Sequence, residues 1–186
     1  MRLVSIVLAA GAARRFGSDK LSAPFRGEPL LHHAIRAARA APVVGVNVVC
    51  GPHVAIGEWD SFPSVHPLPI ESTCLSDSLK AGIEAIDHGY CHGAFIFLGD
   101  MPLVPWNIAH RLLDALGDHF AAVPRHAGKN GHPVLLSARA FPEIARLTGD
   151  EGAGRLLKQR GDVAFVDVEE DTILLDVDRA EDLARL

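Results

Sequence analysis

Arg14, Arg15 and Lys20 stand in one short stretch with Ala9, Ala10, Gly11 and Gly17. Backbone without bulky side chains lets a ligand approach closely. Successive amide N–H groups can form an anion-binding nest, and the three side chains add full positive charge beside it. From Met1 to Gly27 there are five basic residues (Arg2, Arg14, Arg15, Lys20, Arg26) against one acid, Asp19, in a chain of net charge −5. This local excess predicts a cradle for a triphosphate or pyrophosphate. On charge and glycine pattern alone, an ordinary strand-to-helix turn with solvated arginines stands beside that reading.

Spacing excludes two familiar phosphate loops. A kinase-type P-loop has four residues between its glycines and Lys-Ser/Thr directly after the second. Here five residues separate Gly11 from Gly17, and Lys20 is followed by Leu21. The dinucleotide pattern Gly-x-Gly-x-x-Gly fails at Ala13 and Phe16. A second reactive position is Asp100, after the apolar run Ala94–Leu98. A carboxylate at a strand end beside a phosphate loop is where a Mg²⁺ ligand is needed. A helix N-cap or turn residue fits the same Asp equally.

The elements that must position these residues follow from hydrophobic periodicity. Strands are expected at Leu3–Ala9, Val43–Val49, Ala94–Leu98, Phe120–Val123, His132–Ser137, Val163–Val168 and Ile173–Val177. Pro29 opens a helix with Leu30, Leu31, Ala34, Ile35 and Ala38 on one face, and Pro105 opens another with Ile108, Leu112, Leu113 and Leu116. Further helices are expected at Ser72–Ala85, capped by Ser72 or Ser76, near Ala138–Leu147 and Glu151–Gln159, and at Ala180–Leu186. Proline-broken Ile56–Pro69 reads as loop with a short strand near Val65–Leu68. The alternation predicts an α/β fold with a mainly parallel sheet. Such sheets bind ligands at the carboxyl ends of their strands, where both the basic loop and Asp100 fall.

The 186 residues, 48% apolar and 22% charged, predict one folded domain spanning 1–186. The acidic balance argues against nucleic acid as a partner. Cys50, Cys74 and Cys91 are odd in number and contain no Cys-x-x-Cys, which suits a reducing cytoplasm. The apolar run Leu3–Ala10 is too short for a secretion signal of the usual kind, and no run reaches membrane-span length. His88, Cys91 and His92 suggest a metal site or a plain loop, and no fourth ligand is near in sequence.

Seven stretches, in order over nearly the whole chain, resemble the small nucleotidyltransferases of the molybdenum-cofactor type, above all their cytidylyltransferases. They are Leu8-Ala-Ala-Gly-Ala-Ala-Arg-Arg-Phe-Gly17 with Asp19-Lys20-Leu21, Gly27-Glu-Pro-Leu-Leu31, Leu75-Ser-Asp-Ser-Leu-Lys-Ala-Gly82, Leu98-Gly-Asp-Met-Pro-Leu103, Gly131-His-Pro-Val-Leu135, Gly149-Asp-Glu-Gly-Ala-Gly-Arg-Leu-Leu157 and Leu175-Asp-Val-Asp-Arg-Ala-Glu-Asp-Leu183. The resemblance implies a Rossmann-like three-layer domain of the nucleotide-diphospho-sugar transferase type. It implies that Leu8, Ala9, Ala10 and Gly11 hold a nucleotide through backbone contacts, and that Arg15 and Lys20 hold its triphosphate. Asp100 would bind Mg²⁺ with Asp178 as second carboxylate, and Ser78 would lie beside the base and ribose. Two alanines before Gly11 match the family's users of CTP. The chain departs from the family at Met101, where Gln is usual, at Thr73–Leu79, and at Arg179-Ala180, where Thr-Pro is usual.

The reaction so implied transfers CMP from CTP to the terminal phosphate of a molybdopterin-type acceptor and releases pyrophosphate. A molybdoenzyme client or its chaperone would receive the product. The nucleophile is already an anion, so no general base is required. His132 is expected either at the pterin or as a structural turn histidine, and Arg155 either on an acceptor phosphate or solvated at a helix start. Three alternatives stay open: a sugar-phosphate acceptor, GTP or ATP in place of CTP, and a weakly active cofactor-binding maturation factor.

Overall fold

β1 (Leu3–Ala9) is the apolar spine of the molecule. The computed structural model describes residues 1–11, 20–72, 74–184 and 186, so Arg14, Arg15 and Gly17 lie outside the described residues. From Lys20 onward come a 3-10 turn at Lys20–Ser22, the short hairpin β2 (Pro24–Phe25) and β3 (Glu28–Pro29), and α1 (Leu30–Ala40). Then follow β4 (Gly45–Cys50), β5 (Ser64–Pro69), α2 (Leu75–Glu84), β6 (Gly93–Leu98) and α3 (Ile108–Leu116). The rest is β7 (Ala121–His126), β8 (Lys129–Asn130), β9 (Val134–Ser137), α4 (Phe141–Ile144), α5 (Ala153–Lys158), β10 (Val163–Asp167) and α6 (Ala180–Leu183).

The main sheet runs β10-β7-β9-β6-β1-β4-β5, with β8 paired to β7. β1, β4, β5 and β6 are mutually parallel, and β10 is parallel to β7; β9 runs antiparallel between β6 and β7. Side chains alternate across the sheet. Leu3, Val7, Phe95 and Phe97 pack against α1 and α3 on one face, while Ile6, Ala94 and Ile96 pack with Leu79 and Ile83 of α2 and Ile144 of α4 on the other. Each fully buried aromatic or aliphatic side chain contributes about 1.5–3 kcal/mol. Ser5, also buried, donates its hydroxyl to the Ala38 carbonyl at 2.9 Å.

Register places the reactive positions. Leu8 pairs with Leu98 and Ala9 with Cys50, so Ala9–Gly11 and Gly99-Asp100 emerge at the same rim. The Gly99 N–H donates to the Leu8 carbonyl at 2.9 Å. A Cβ at Gly99 would stand 3.1 Å from both that carbonyl oxygen and the Ala9 Cβ, a tight contact that glycine relieves where the two strand ends meet.

Four expectations change. Ile173–Val177 is not a strand: Asp171–Leu174 forms a 3-10 turn whose Ile173 carbonyl accepts the His132 N–H at 2.9 Å. Its apolar residues are buried as anchors, not as ladder members. α2 starts after Cys74, and neither Ser72 nor Ser76 caps it; the Ser72 hydroxyl donates to Asp77 at 2.6 Å, and the Ser76 hydroxyl is buried without a hydrogen-bond partner. The 138–147 helix divides into a 3-10 turn at Ala138–Ala140 and α4. The edge strand β5 is six residues long, longer than expected, and carries Pro67 and Pro69 as edge strands can. Among the described residues no helix is long and apolar enough to cross a membrane.

Candidate active site

Lys20 reaches the rim from the 3-10 turn, where buried Leu21 anchors the backbone. Its ammonium donates to Asp100 Oδ2 at 2.7 Å and lies 3.9 Å from Asp178 Oδ1. The Lys20 and Asp100 side chains are 13% and 24% exposed. Asp178 arrives from far along the chain. The N–H of fully buried Val177 donates to the Asp100 carbonyl at 2.9 Å, which pins the segment. The N–H groups of Asp178 and Arg179 both donate to the Asp182 carboxylate, at 3.0 and 2.7 Å, so the start of α6 fixes its direction.

Asp176, on the other side of Val177, completes a group of three carboxylates. One oxygen from each of Asp100, Asp176 and Asp178 lies within 4.8 Å of the others. Asp176 is exposed at the outer edge, yet desolvation pushes its carboxyl above the usual range, as do the charges of Asp100 and Asp178, while Lys20 pulls it down. Three hard oxygen donors converging beside Lys20 fit a divalent ion such as Mg²⁺ or Mn²⁺. The sequence reading missed Asp176. Its signal was the Asp-Val-Asp alternation, two carboxylates flanking an apolar residue.

Beside this cluster opens a cleft of about 950 Å³. Leu8, Ala9, Ala10, Gly11, Lys20 and Asp100 line one side, Ser78 of α2 a second, and Asn130–His132 with Gly152–Arg155 the far wall. Such a volume lies at the upper end for small-molecule sites and has room for two substrates. Ser78 is buried, its hydroxyl donating to the Cys74 carbonyl at 3.2 Å. His132 turns Nδ1 towards the Ile96 carbonyl at 3.5 Å. Burial holds its imidazole below the ordinary value, although that carbonyl and Asp100 oppose the shift, so the ring is neutral near pH 7. Arg155 is exposed and paired with Glu151 one turn back on the rim. Asp178 joins the cleft through Lys20 and is not itself on its wall. The expectation for Arg15 lies outside the described residues.

His88, Cys91 and His92 satisfy themselves locally. His88 Nε2 meets the Ile83 carbonyl, the Cys91 thiol meets the Gly93 carbonyl, and His92 Nδ1 accepts the Arg2 N–H. Among the described residues they do not converge as ligands.

Residues 5–163 match the family described as MobA-like NTP transferase domain. The purine catabolism protein PucB of Bacillus subtilis (strain 168) is 30% identical over 192 residues, covering 97% of this chain and 93% of its own. The molybdenum cofactor cytidylyltransferase of Escherichia coli (strain K12) is 26% identical over 181 residues, covering 95% and 91%. The crystal structure of Rv0371c from Mycobacterium tuberculosis H37Rv superposes with a TM-score of 0.85 at 27% identity, over 100% of this chain and 97% of that one. The same protein in complex with manganese superposes at 0.82 with 26% identity and the same coverage. A basic turn and a carboxylate meeting at the carboxyl rim of a mostly parallel sheet thus come with a family match over most of the length: the chain belongs to the MobA-like NTP transferase domain family and is a nucleotidyltransferase.

Proposed function

We propose that the chain transfers CMP from CTP to the terminal phosphate of molybdopterin bearing molybdenum, releasing pyrophosphate. The observation that carries this reading is the Lys20–Asp100 bond at the mouth of the cleft, beside the side-chain-poor backbone of Ala9–Gly11. The cytidylyltransferase relative and the Ala9-Ala10-Gly11 sequence support CTP as donor.

The backbone of Leu8, Ala9, Ala10 and Gly11 holds the nucleotide, and Ser78 faces its base and ribose. Lys20 and Arg15 draw charge from the leaving pyrophosphate. Asp100, Asp176 and Asp178 would hold the divalent ion, Mg²⁺ by this reading, with the manganese complex of Rv0371c in support of a metal in this fold. That ion, when bound, neutralises phosphate charge as a Lewis acid. An oxygen of the acceptor phosphate, already anionic at neutral pH, forms the new bond to the α-phosphorus. The bond from that phosphorus to the bridging oxygen breaks, and pyrophosphate leaves with the electron pair. Rate enhancement then comes from positioning and preorganised charge, with no general base. Neutral His132 orients the pterin, and Arg155, released from Glu151, meets the acceptor phosphate. The product passes in the cytoplasm to a molybdoenzyme client or its chaperone; the name of the Bacillus subtilis relative supports a client acting on purines.

The test is pyrophosphate release from CTP, GTP, ATP and UTP with Mg²⁺ and either molybdenum-bearing molybdopterin or a sugar phosphate. CTP with the pterin is expected to give turnover. Preference for GTP would overturn the base assignment, and turnover only with the sugar phosphate would overturn the acceptor. Tight nucleotide binding without turnover would leave a maturation factor instead.

A further inference from the structure

Lys20 and the carboxylate cluster bear on which form of the metal the site accepts. We propose that Lys20 is the resident counter-ion of Asp100, Asp176 and Asp178, so that the site takes a divalent cation with a nucleoside triphosphate and rejects the bare ion. This deepens the nucleotidyl-transfer reading of the same site and rests on it.

The argument starts from one oxygen. Asp100 Oδ2 accepts the Lys20 ammonium at 2.7 Å, and the ammonium is 3.9 Å from Asp178 Oδ1. A Mg²⁺ ligated by that Oδ2 would sit about 2.1 Å from it, hence within about 5 Å of the ammonium while the bond stood. Two cations at that separation repel strongly in a partly desolvated site. The Lys20 side chain is 13% exposed, so water screens the pair little. A bare divalent ion must therefore push Lys20 off Asp100, and among the described residues the other carboxylate within its reach, Asp178, is one the ion itself would need. A triphosphate arriving along Ala9–Gly11 changes that. It offers Lys20 several anionic oxygens on the same rim, and the ammonium moves from carboxylate to phosphate. Asp100 Oδ2 is released for the metal in the same event. Metal and nucleotide then favour each other's binding by the same factor, as linkage requires.

Electron paramagnetic resonance of free Mn²⁺ titrated with the full chain, without nucleotide, measures the first half. The native protein is expected to bind bare Mn²⁺ weakly. Lys20→Met, checked for an unchanged melting profile, is expected to bind it at least about tenfold more tightly, a coupling of ordinary size. Lys20→Arg, which keeps the charge, is expected to stay weak, and Lys20→Gln replaces the Met variant should that one fail to fold. Equilibrium dialysis of labelled CTP with and without Mn²⁺ measures the second half: Mn²⁺ is expected to tighten CTP binding in the native protein and to do so much less in Lys20→Met. A neutral variant that binds bare Mn²⁺ no more tightly than the native chain, with CTP still retained, overturns the counter-ion role and leaves the transfer reading intact. Failure of the native protein to retain CTP at any Mn²⁺ concentration overturns both.

Discussion

Asp100 and Lys20 hold each other at 2.7 Å although they stand 80 positions apart in sequence. Ion pairs near a surface stabilise a fold by only about 0–1 kcal/mol, so stability is a poor reason to gather three carboxylates around one lysine. Asp176 makes the point: desolvation and the like charges of Asp100 and Asp178 push its carboxyl up, so its ionised form is disfavoured in the folded chain. Asp100→Asn keeps the shape and removes the charge. Together with Lys20→Ala it is expected to lower turnover by about two to four orders of magnitude, the scale of losing one preorganised electrostatic partner, with little change in melting temperature. Pyrophosphate release by the purified variants checks this, and near-normal rates would remove both residues from the reaction. Lys20 and Asp100 were legible from charge and strand-end position. Asp176 was not, because an acid inside a segment that reads as a strand passes for its solvent-facing alternate until Val177 is seen buried and bonded to Asp100.

The 3-10 turn Asp171–Leu174 and the β8–β9 connection form the cleft's far support. Gly131 is where they touch: its N–H donates to the Pro124 carbonyl at 2.8 Å, and a Cβ on it would stand 2.4 Å from the Ile173 carbonyl oxygen. Backbone on that side cannot yield as a flexible side chain does. Gly131→Ala is therefore expected to cost about 1–3 kcal/mol, the range for overpacking, read as a lower midpoint in urea unfolding. An unchanged midpoint would show that the Asp171–Leu174 turn moves aside to admit the methyl group. Periodicity announced Ile173–Val177 as a strand because it reports burial, and buried anchors in a turn carry the same apolar pattern. It was equally silent on the direction of β9, since apolar runs read the same along parallel and antiparallel strands.

Two histidines set the acid response of the whole molecule. His132, at the cleft, and His32, on α1 beside Trp59, are both held below the ordinary imidazole value of 6.5, chiefly by burial. Above 6.5 folded and unfolded chains carry these rings neutral, and pH has no effect through them. Below 6.5 the unfolded chain takes up protons that the folded chain refuses, so stability falls as pH falls. A second loss begins lower. Arg36, Arg160 and Arg125 depress Glu28, Asp162 and Asp167, and the stability these pairs add begins to be lost as pH drops below the ordinary carboxylate values of 4.5 and 3.8 and is gone below the depressed ones. Urea midpoints between pH 8 and pH 4 are expected to be flat, then to decline from about 6.5, and more steeply near the carboxylate range. His32→Gln combined with His132→Gln is expected to flatten the upper decline whatever it does to the absolute midpoint. A native midpoint that stays constant down to pH 5 would exclude buried neutral histidines.

Local information was enough for the alternating elements, the apolar spine of β1, the Lys20 turn that follows it and the acid at the end of β6, because each is written in consecutive residues. Family likeness extended this to Ser78, His132 and Arg155, which the fold brings to one cleft. What consecutive residues do not carry is the pairing of distant ones. Leu8 opposite Leu98, Val177 bonded to Asp100, and Asp176 beside Asp178 and Lys20 exist only once the strands have taken their register. Register is settled by which long-range set of apolar faces buries together, and it is that choice which gathers scattered charges into one cluster beside the cleft.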